Sequence, residues 1–212
     1  MSAELIPYLP GFIAAYAILV VGAASPGPSV AMLIGVATNE GRLPAMIATL
    51  GIATGSATIN LMTMLGVGLL LSQAAWAMTA LRVIGAAYLL WLAWGAFRRA
   101  VHPPAFAVQA APLRTYMRAY LVGYLLQVTN PKAIAFWLAI ASIGAVEGAP
   151  LPIIALFVLG ACVISFTCHG AWALALSAAP IRAGYARMRR WIEAALGVFF
   201  CFAAYKLASS EV

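Results

Sequence analysis

The sequence predicts an all-α, polytopic membrane protein, and its composition, its long apolar runs and the placement of its charges are the observations that predict it. Of the 212 residues, 65% are hydrophobic and 8% are charged. Soluble domains carry about 25% charged residues, so this chain cannot cover a water-facing surface. The net charge of +7 does not indicate nucleic-acid binding, because no basic stripe and no recognised binding motif accompanies it.

Six apolar runs are long enough to cross a bilayer as helices, since about 20 residues span its hydrocarbon core. They are residues 12–37, 43–71, 75–97, 119–143, 151–177 and 191–207. We interpret residues 1–212 as a single transmembrane domain. It divides into a first repeat at about 12–98, a basic cytoplasmic linker at about 99–118 and a second repeat at about 119–207.

The basic residues are distributed unevenly between the two sides that six spans create. The side that carries most of them has Arg42, Arg98, Arg99, Arg114, Arg118, Arg182, Arg187, Arg189 and Arg190. The opposite side receives Lys206 and Arg82, which we expect to anchor its helix at the outer interface. Because short cytoplasmic loops are enriched in Lys and Arg, the arginine-rich side is predicted to be cytoplasmic and both termini extracytoplasmic.

Two of the six runs contain helix-breaking residues at matching places. The sequence SPGPSVA at 25–31 interrupts the first run, and TNPKAIA at 129–135 interrupts the fourth. Three spans per half make the second half enter the membrane from the opposite side, so the pattern predicts two inverted repeats with helices 1 and 4 broken near the midplane. Paired breaks of this kind indicate a transport site lined by unwound backbone. The alternative is a pair of proline kinks that only bend packed helices.

Several motifs occur in order and at regular spacing along most of the chain. They are SPGP at 25–28, EGR at 40–42, GIATG at 51–55, RVIGAAYLLWL at 82–92 and NPKA at 130–133. With these motifs the chain resembles the LysE/RhtB family of bacterial amino-acid exporters. The resemblance implies a LysE-type translocator of the inner membrane, which exports an amino acid or similar small metabolite by proton antiport with alternating access. It implies neither an enzyme nor a cofactor.

The chain departs from the family pattern at three places. Ser29 stands where the family often has Asn, and residues 142–144 replace the usual Pro-Gln-Phe. Ser56 stands where many members carry Asp. This last difference matters most, because it removes the expected intramembrane carboxylate for coupling to protons or for holding a substrate amine.

The candidate substrate-binding residues lie at the two breaks and on a polar stripe of the second span. They are Ser25, Pro26, Gly27, Pro28, Ser29, Ser56, Asn60, Asn130, Pro131 and Lys132. A lysine at this depth is costly and should face a cavity or a partner. Lys132 either holds a substrate carboxylate or clamps carbonyls that Pro131 leaves free, while Asn130 is expected to cap the resumed helix. The stripe consists of Thr49, Ser56, Asn60 and Thr63, and it serves either a cavity lining or interhelical hydrogen bonding.

Lys132, His169 and Glu193 are the candidates for proton coupling. An unperturbed histidine titrates near neutral pH, so His169 is a candidate proton carrier in place of the missing Asp, although a lone histidine on a mixed face is more often structural. Glu193 lies among arginines, where surface pairing is the default and proton entry the alternative. No metal site is predicted, because Cys162, Cys168 and Cys201 lack metal-ligand spacing.

The sequence leaves two alternatives to amino-acid export. Some relatives in the superfamily export metals or other small cations, but the missing Asp argues against such a cargo here. A membrane-embedded hydrolase using Ser165, Cys168 or His169 lacks any of the usual catalytic motifs. The expected partners are therefore a small amino acid or related metabolite, protons and the lipid bilayer, with a homodimer left open.

Overall fold

The described part of the chain is entirely helical in its regular structure. The computed structural model describes the backbone of residues 2–73, 75–102 and 115–209, and their side chains except those of residues 2, 3, 67–73, 75–78, 81 and 82. The helices are α1 (Ser2–Leu5), α2 (Leu9–Ala24), α3 (Pro28–Asn39), α4 (Arg42–Gln73), α5 (Ala75–Val101), α6 (Tyr116–Val128), α7 (Pro131–Ala141), α8 (Leu151–Ala175) and α9 (Ala179–Ser209). A 3-10 turn at Ile6–Tyr8 joins α1 to α2.

The predicted all-α class is confirmed in the described residues. Four segments are long and apolar enough to cross a membrane, namely Ile6–Ala24, Arg42–Gly66, Leu151–Ala175 and Ala179–Ser209. Helices α3 and α7 are apolar but shorter. The expectations for Arg114 and for the side chain of Arg82 lie outside the described residues.

The last helix begins earlier than the apolar run predicts. The apolar run predicts a membrane span over residues 191–207, and the helix that contains it, α9, starts at Ala179 and includes the basic segment 182–190. Arginine has a high helix propensity, so the helix continues beyond the hydrophobic part of the sequence. Hydropathy marks where a helix enters lipid and does not mark where the helix begins.

Both predicted interruptions are present. Helix α2 ends at Ala24, Ser25 is extended, and α3 restarts at Pro28 after an extended Gly27. In the second half α6 ends at Val128 and α7 restarts at Pro131. Proline fits the first helical position because the amide hydrogen that it lacks has no intrahelical partner there.

Helix α4 is at the centre of the fold and packs against both α6 and α8, while α5 packs along α9. The contact of α4 with α6 depends on glycines. A Cβ atom added at Gly51 would meet the backbone of Tyr120, and one added at Gly123 would meet the backbone carbonyl of Ala48. The GIATG segment therefore serves close helix packing, as small residues do in membrane helices.

The ends of several helices that carry arginines meet at one end of the molecule, which we call the arginine-rich end. Arg42 Nε donates to Ser177 Oγ at 2.9 Å, which ties the start of α4 to the end of α8. Arg182 Nη1 donates to the carbonyl oxygen of Leu176 at 3.0 Å. The start of α9 therefore lies at this same end.

The opposite end is closed by an apolar cluster that we call the aromatic plug and define by Phe12, Tyr16, Trp137 and Phe157. The rings of Tyr16 and Phe157 are stacked with centroids 5.2 Å apart, and Phe12 meets Phe157 edge to face at 5.0 Å. Tyr16 also donates its hydroxyl to the carbonyl of Phe157 at 3.0 Å. The plug joins α2, α7 and α8 through one continuous core.

Candidate functional site

The two helix interruptions contact each other through a lysine. Lys132 Nζ on the first turn of α7 donates to the carbonyl oxygen of Ser25 at 2.9 Å, and it also contacts Ser25 Oγ. Ser25 follows the last residue of α2, so the ammonium lies at the helix end where carbonyl dipoles concentrate negative charge. The ammonium is also 6.0 Å from the ring centroid of Phe136. The lysine is thus bound to unwound backbone at the first break, and not to the carbonyls freed by Pro131 that the sequence suggested for a clamp.

A second set of hydrogen bonds also joins the two breaks. Ser29 Oγ donates to Gln127 Oε1 at 2.8 Å and accepts from Asn130 Nδ2 at 3.3 Å, and all three side chains are buried. Asn130 Oδ1 accepts from the backbone amide of Lys132 at 3.0 Å, so this residue caps α7 as expected. Each member of the set has a partner, which keeps the two breaks in register.

The N-terminus of α3 is less satisfied than that of α7. Its N-cap is Gly27, which has no side chain to accept a hydrogen bond. The first amide groups of a helix have no intrahelical acceptor, and in the part of the chain that the structure describes those of Ser29 and Val30 have no backbone acceptor, which leaves them for a ligand. Anionic groups are favoured at such a helix end.

A cavity of about 40 Å³, which we call the inner cavity, lies between the two breaks. Its polar lining comes from Ser25, Ser29, Ser56, Gln127, Asn130, Lys132, Ser165 and His169, and its apolar lining includes Phe136 and Trp137. A space of this size holds a few water molecules and no amino acid. The inner cavity is therefore too narrow in this structure for a solute.

Helices α4 and α8 contribute buried polar groups to this cavity. Ser56 Oγ accepts from Trp137 Nε1 at 3.0 Å. His169 Nδ1 lies 2.9 Å from the carbonyl oxygen of Ser165 and 3.4 Å from its hydroxyl. A carbonyl only accepts, so Nδ1 carries hydrogen and Nε2 is the nitrogen left for proton exchange. Because Nδ1 is bound to this carbonyl, the Ser165–His169 pair does not have the geometry of a nucleophile and its base.

The threonines of α4 outside the predicted polar stripe pair with α6. Thr54 Oγ1 lies 2.9 Å from the hydroxyl of Tyr120, and Thr58 Oγ1 lies 3.3 Å from that of Tyr124. Thr49, Ser56 and Asn60 of the stripe are buried, as expected for one face. Two polar faces of the same helix thus serve different contacts.

A second cavity of about 250 Å³ adjoins the inner one, and we call it the vestibule. It lies between α3, α5 and α9, and it shares Gly27 and Val30 with the inner cavity. Its charged residues are Arg99, Arg189 and Glu193. Arg99 Nε donates to Glu193 Oε1 at 3.0 Å, and the carboxylate is fully buried. Glu193 is therefore paired with an arginine as expected, but the expectation that it lies at the surface is wrong, because α5 covers this face of α9.

The structure gathers most of the predicted substrate residues around the two cavities. Pro26 and Pro28 line the vestibule, Gly27 lines both cavities, and four others line the inner cavity together with Lys132. Asn60 and Pro131 line neither of these two. Asn60 is fully buried one turn beyond Ser56, and neither polar atom of its amide has a hydrogen-bond partner in the described residues. Pro131 is exposed on the outer side of the break.

Sequence reasoning missed three residues that the structure brings to the site. Gln127 is a polar residue within an apolar run, one turn before the break, and that placement could have identified it. Arg99 and Trp137 carried no comparable signal, since each has an ordinary explanation as a helix-end charge or a packing residue. Among the described residues, no group of three or more His, Cys, Asp or Glu side chains could hold a metal ion.

Comparisons with known proteins give one consistent result. The family model of the LysE type translocator matches residues 20–211. The chain is 30% identical over 187 residues to a threonine efflux protein of Escherichia coli (strain K12), covering 85% of this chain and 89% of that protein. It is also 30% identical over 191 residues to a threonine efflux protein of Salmonella typhi, with the same coverage. A leucine efflux protein of Enterobacter sp. (strain 638) is 30% identical over 118 residues, or 54% of each chain. No solved structure gives a significant match.

Proposed function

The chain belongs to the LysE type translocator family, and we propose that it is a secondary exporter of an amino acid or similar small metabolite across the bacterial inner membrane. Relatives that match most of its length are named for threonine efflux, and a shorter match is named for leucine efflux. The contact between Lys132 and the unwound backbone at Ser25 is the observation that carries the proposal. It brings a cation, free peptide groups and a cavity together inside an apolar helical protein.

In this proposal the chain forms two inverted repeats of three spans each, and two sets of matching helix contacts support that arrangement. An inverted repeat exchanges α2 with α6, α3 with α7, α4 with α8 and α5 with α9. The contact of α2 with α8 then corresponds to that of α6 with α4, and the contact of α3 with α8 to that of α7 with α4. The pairs α4 with α8 and α5 with α9 lie on the symmetry axis.

The arginine-rich end faces the cytoplasm in this proposal, and both termini face outward. The support is the positive-inside rule together with the hydrogen bonds of Arg42 and Arg182, which hold the arginine-bearing helix ends at one end. The vestibule borders α9 near this end. A solute therefore enters from the cytoplasm through the vestibule, while the aromatic plug closes the other side.

Transport proceeds by alternating access around the inner cavity. The solute carboxylate takes Lys132 Nζ and the free amides at the start of α3, and it displaces the ammonium from Ser25. The two halves then rock, so that the vestibule closes and the aromatic plug opens. The contact between Lys132 and Ser25 links the interrupted helices of the two halves. Because the solute breaks this contact when it binds, binding is coupled to the movement of the halves.

Proton antiport is the energy source that we propose, with Lys132, His169 and Glu193 as the carriers to distinguish. His169 lines the inner cavity with Nε2 available, and Glu193 lines the vestibule. The three candidate carriers thus lie along one route from the vestibule to the inner cavity. Ser56, where many relatives carry Asp, takes a hydrogen bond from Trp137 and supplies no ionisable group.

Counterflow of a panel of amino acids in proteoliposomes tests the proposal. We expect at least one amino acid to exchange, and we expect Lys132→Met to reduce its exchange by about tenfold or more, as for a lost charge-assisted contact. Lys206→Met is the matched control, because Lys206 is exposed near the end of α9. The proposal fails if no amino acid exchanges, or if the folded Lys132→Met protein exchanges it at the rate of the original chain.

A further inference from the structure

The vestibule carries charges of both signs around one volume. Arg99 and Arg189 contribute two guanidinium groups, and Glu193 contributes one carboxylate. With Glu193 ionised, the lining has a net charge of one positive unit. The carboxylate does not stabilise a bound anion, and the two arginines do not stabilise a bound cation.

Only one of the two oxygens of the Glu193 carboxylate has a hydrogen-bond partner in the described residues. Its Oε1 accepts from Arg99 Nε at 3.0 Å, whereas Oε2 is buried and has no hydrogen-bond partner in the described residues. A charged oxygen buried without a donor is costly, so this position favours the arrival of one. The side chain lines the vestibule, and a donor that enters this cavity can reach it.

We infer that the vestibule is a loading site for α-amino acids, in which Glu193 Oε2 accepts a hydrogen bond from the solute ammonium and the arginine-lined wall binds the solute carboxylate. The inference rests on the proposed export function and adds to it a site that precedes the inner cavity. The ammonium satisfies the unpaired oxygen, and the carboxylate compensates the net positive charge. Arg99 holds Glu193 in place through Oε1 and leaves Oε2 for the solute.

The sizes of the two cavities agree with this order of events. The vestibule has about 250 Å³ against about 40 Å³ for the inner cavity, so in this conformation a small amino acid fits only the vestibule. Gly27 belongs to the lining of both. A solute bound at Glu193 therefore waits directly beside the break, and it moves to Lys132 when the inner cavity widens.

The inference is tested with Glu193→Gln, which keeps an acceptor for Arg99 and replaces the charged oxygen by a neutral group. Glu147→Gln is the matched control, because Glu147 is an exposed carboxylate in the loop after α7. Each purified protein is assayed in two ways: by thermal stabilisation with the exported amino acid and with the α-hydroxy acid of the same side chain, and by export from the arginine-rich side over a range of substrate concentrations.

We expect Glu193→Gln to raise the KM for the amino acid by about 10- to 100-fold, as for a lost hydrogen bond between charged groups. A loading role predicts that the KM changes more than the maximal rate, whereas a proton-carrier role of Glu193 predicts loss of the maximal rate. The preference for the amino acid over its hydroxy analogue should disappear, while Glu147→Gln keeps both properties. An unchanged KM and an unchanged preference in Glu193→Gln overturn the loading site and leave export intact. Loss of export at every substrate concentration overturns it too, because Glu193 then acts after loading. Binding that depends on Glu193 without any transport overturns the exporter and leaves the binding site.

Discussion

Lys132 and Ser25 are 107 positions apart in the sequence, and a hydrogen bond of 2.9 Å joins the ammonium of one to the backbone carbonyl of the other. This contact lies where one helix has just ended and another has just begun. Backbone carbonyl groups inside a membrane protein need hydrogen-bond donors, and a single lysine ammonium can supply three of them. The same group is the one that a carboxylate can attract away.

The first prediction concerns the stability that this clamp provides. Replacing Lys132 by Met leaves the carbonyl of Ser25 without its donor, which should lower the free energy of unfolding by about 1–3 kcal/mol. Thermal unfolding of the purified protein in detergent measures the change, and Lys206→Met controls for the loss of one positive charge. An unaltered melting temperature would mean that water or another group replaces the lysine at no cost.

The second prediction concerns the passage between the two cavities at Gly27. An added Cβ would lie 3.2 Å from Lys132 Nζ, the flexible end of a side chain, so Gly27→Ala should be tolerated. Gly27 is extended, with φ of −167°, and larger residues adopt this backbone without strain. Gly27→Leu should fold but obstruct the passage. Displacing an overpacked side chain costs about 1–3 kcal/mol, which corresponds to transport slower by roughly 5- to 150-fold.

Transport of the exported amino acid, measured beside Gly184→Leu, checks this expectation. Nothing lies within 4 Å of a Cβ atom added at Gly184, which makes that position a suitable control on α9. Equal rates for Gly27→Leu and the original chain would place the route of the solute elsewhere.

The third prediction separates the effect of close packing, measured at Gly51 on α4, from that of helix propensity, measured at Gly184 on α9. Alanine in place of glycine stabilises an exposed helix by up to about 1 kcal/mol, so Gly184→Ala should raise the melting temperature. Gly51→Ala should lower it, because the new methyl group meets the backbone of Tyr120 and overpacking costs about 1–3 kcal/mol. Opposite signs for the two substitutions support close packing of α4 on α6. A rise for both would show that the helices separate easily.

The main features of the fold follow from the sequence, because they depend on local patterns. The breaks at Pro28 and Pro131 result from proline chemistry, and the cap at Asn130 results from its position before that second proline. Helical periodicity also places Ser56 and Asn60 on one buried face.

The partners of these residues do not follow from local patterns. The pairing of Ser29 with Gln127 and the pairing of Arg99 with Glu193 depend on how helices tilt and rotate against each other. A one-dimensional pattern contains no such angles. For the same reason the sequence placed Glu193 at a surface and Asn60 at a binding site, whereas this structure buries both away from water and places Asn60 outside the two cavities.

The last prediction concerns Asn60, whose amide is buried without a partner in the described residues. The side chain lies one turn beyond Ser56, in the direction that leads away from the arginine-rich end, and its neighbour Ile59 belongs to the core of the aromatic plug. An unpaired buried amide destabilises the conformation that contains it by about 1–3 kcal/mol. We therefore expect Asn60→Leu to raise the melting temperature, since leucine fills a similar volume without an unpaired polar group.

The same substitution should slow export if the amide gains water or solute as a partner when the plug opens, because the closed conformation is then favoured over the open one. Thr63→Val, one turn further along α4, is the control, since its hydroxyl already has a partner in the carbonyl of Asn60. If the Asn60→Leu protein is stabilised but exports at the original rate, Asn60 has no role in the transport cycle. A destabilised one shows that the amide has a partner in the closed state after all.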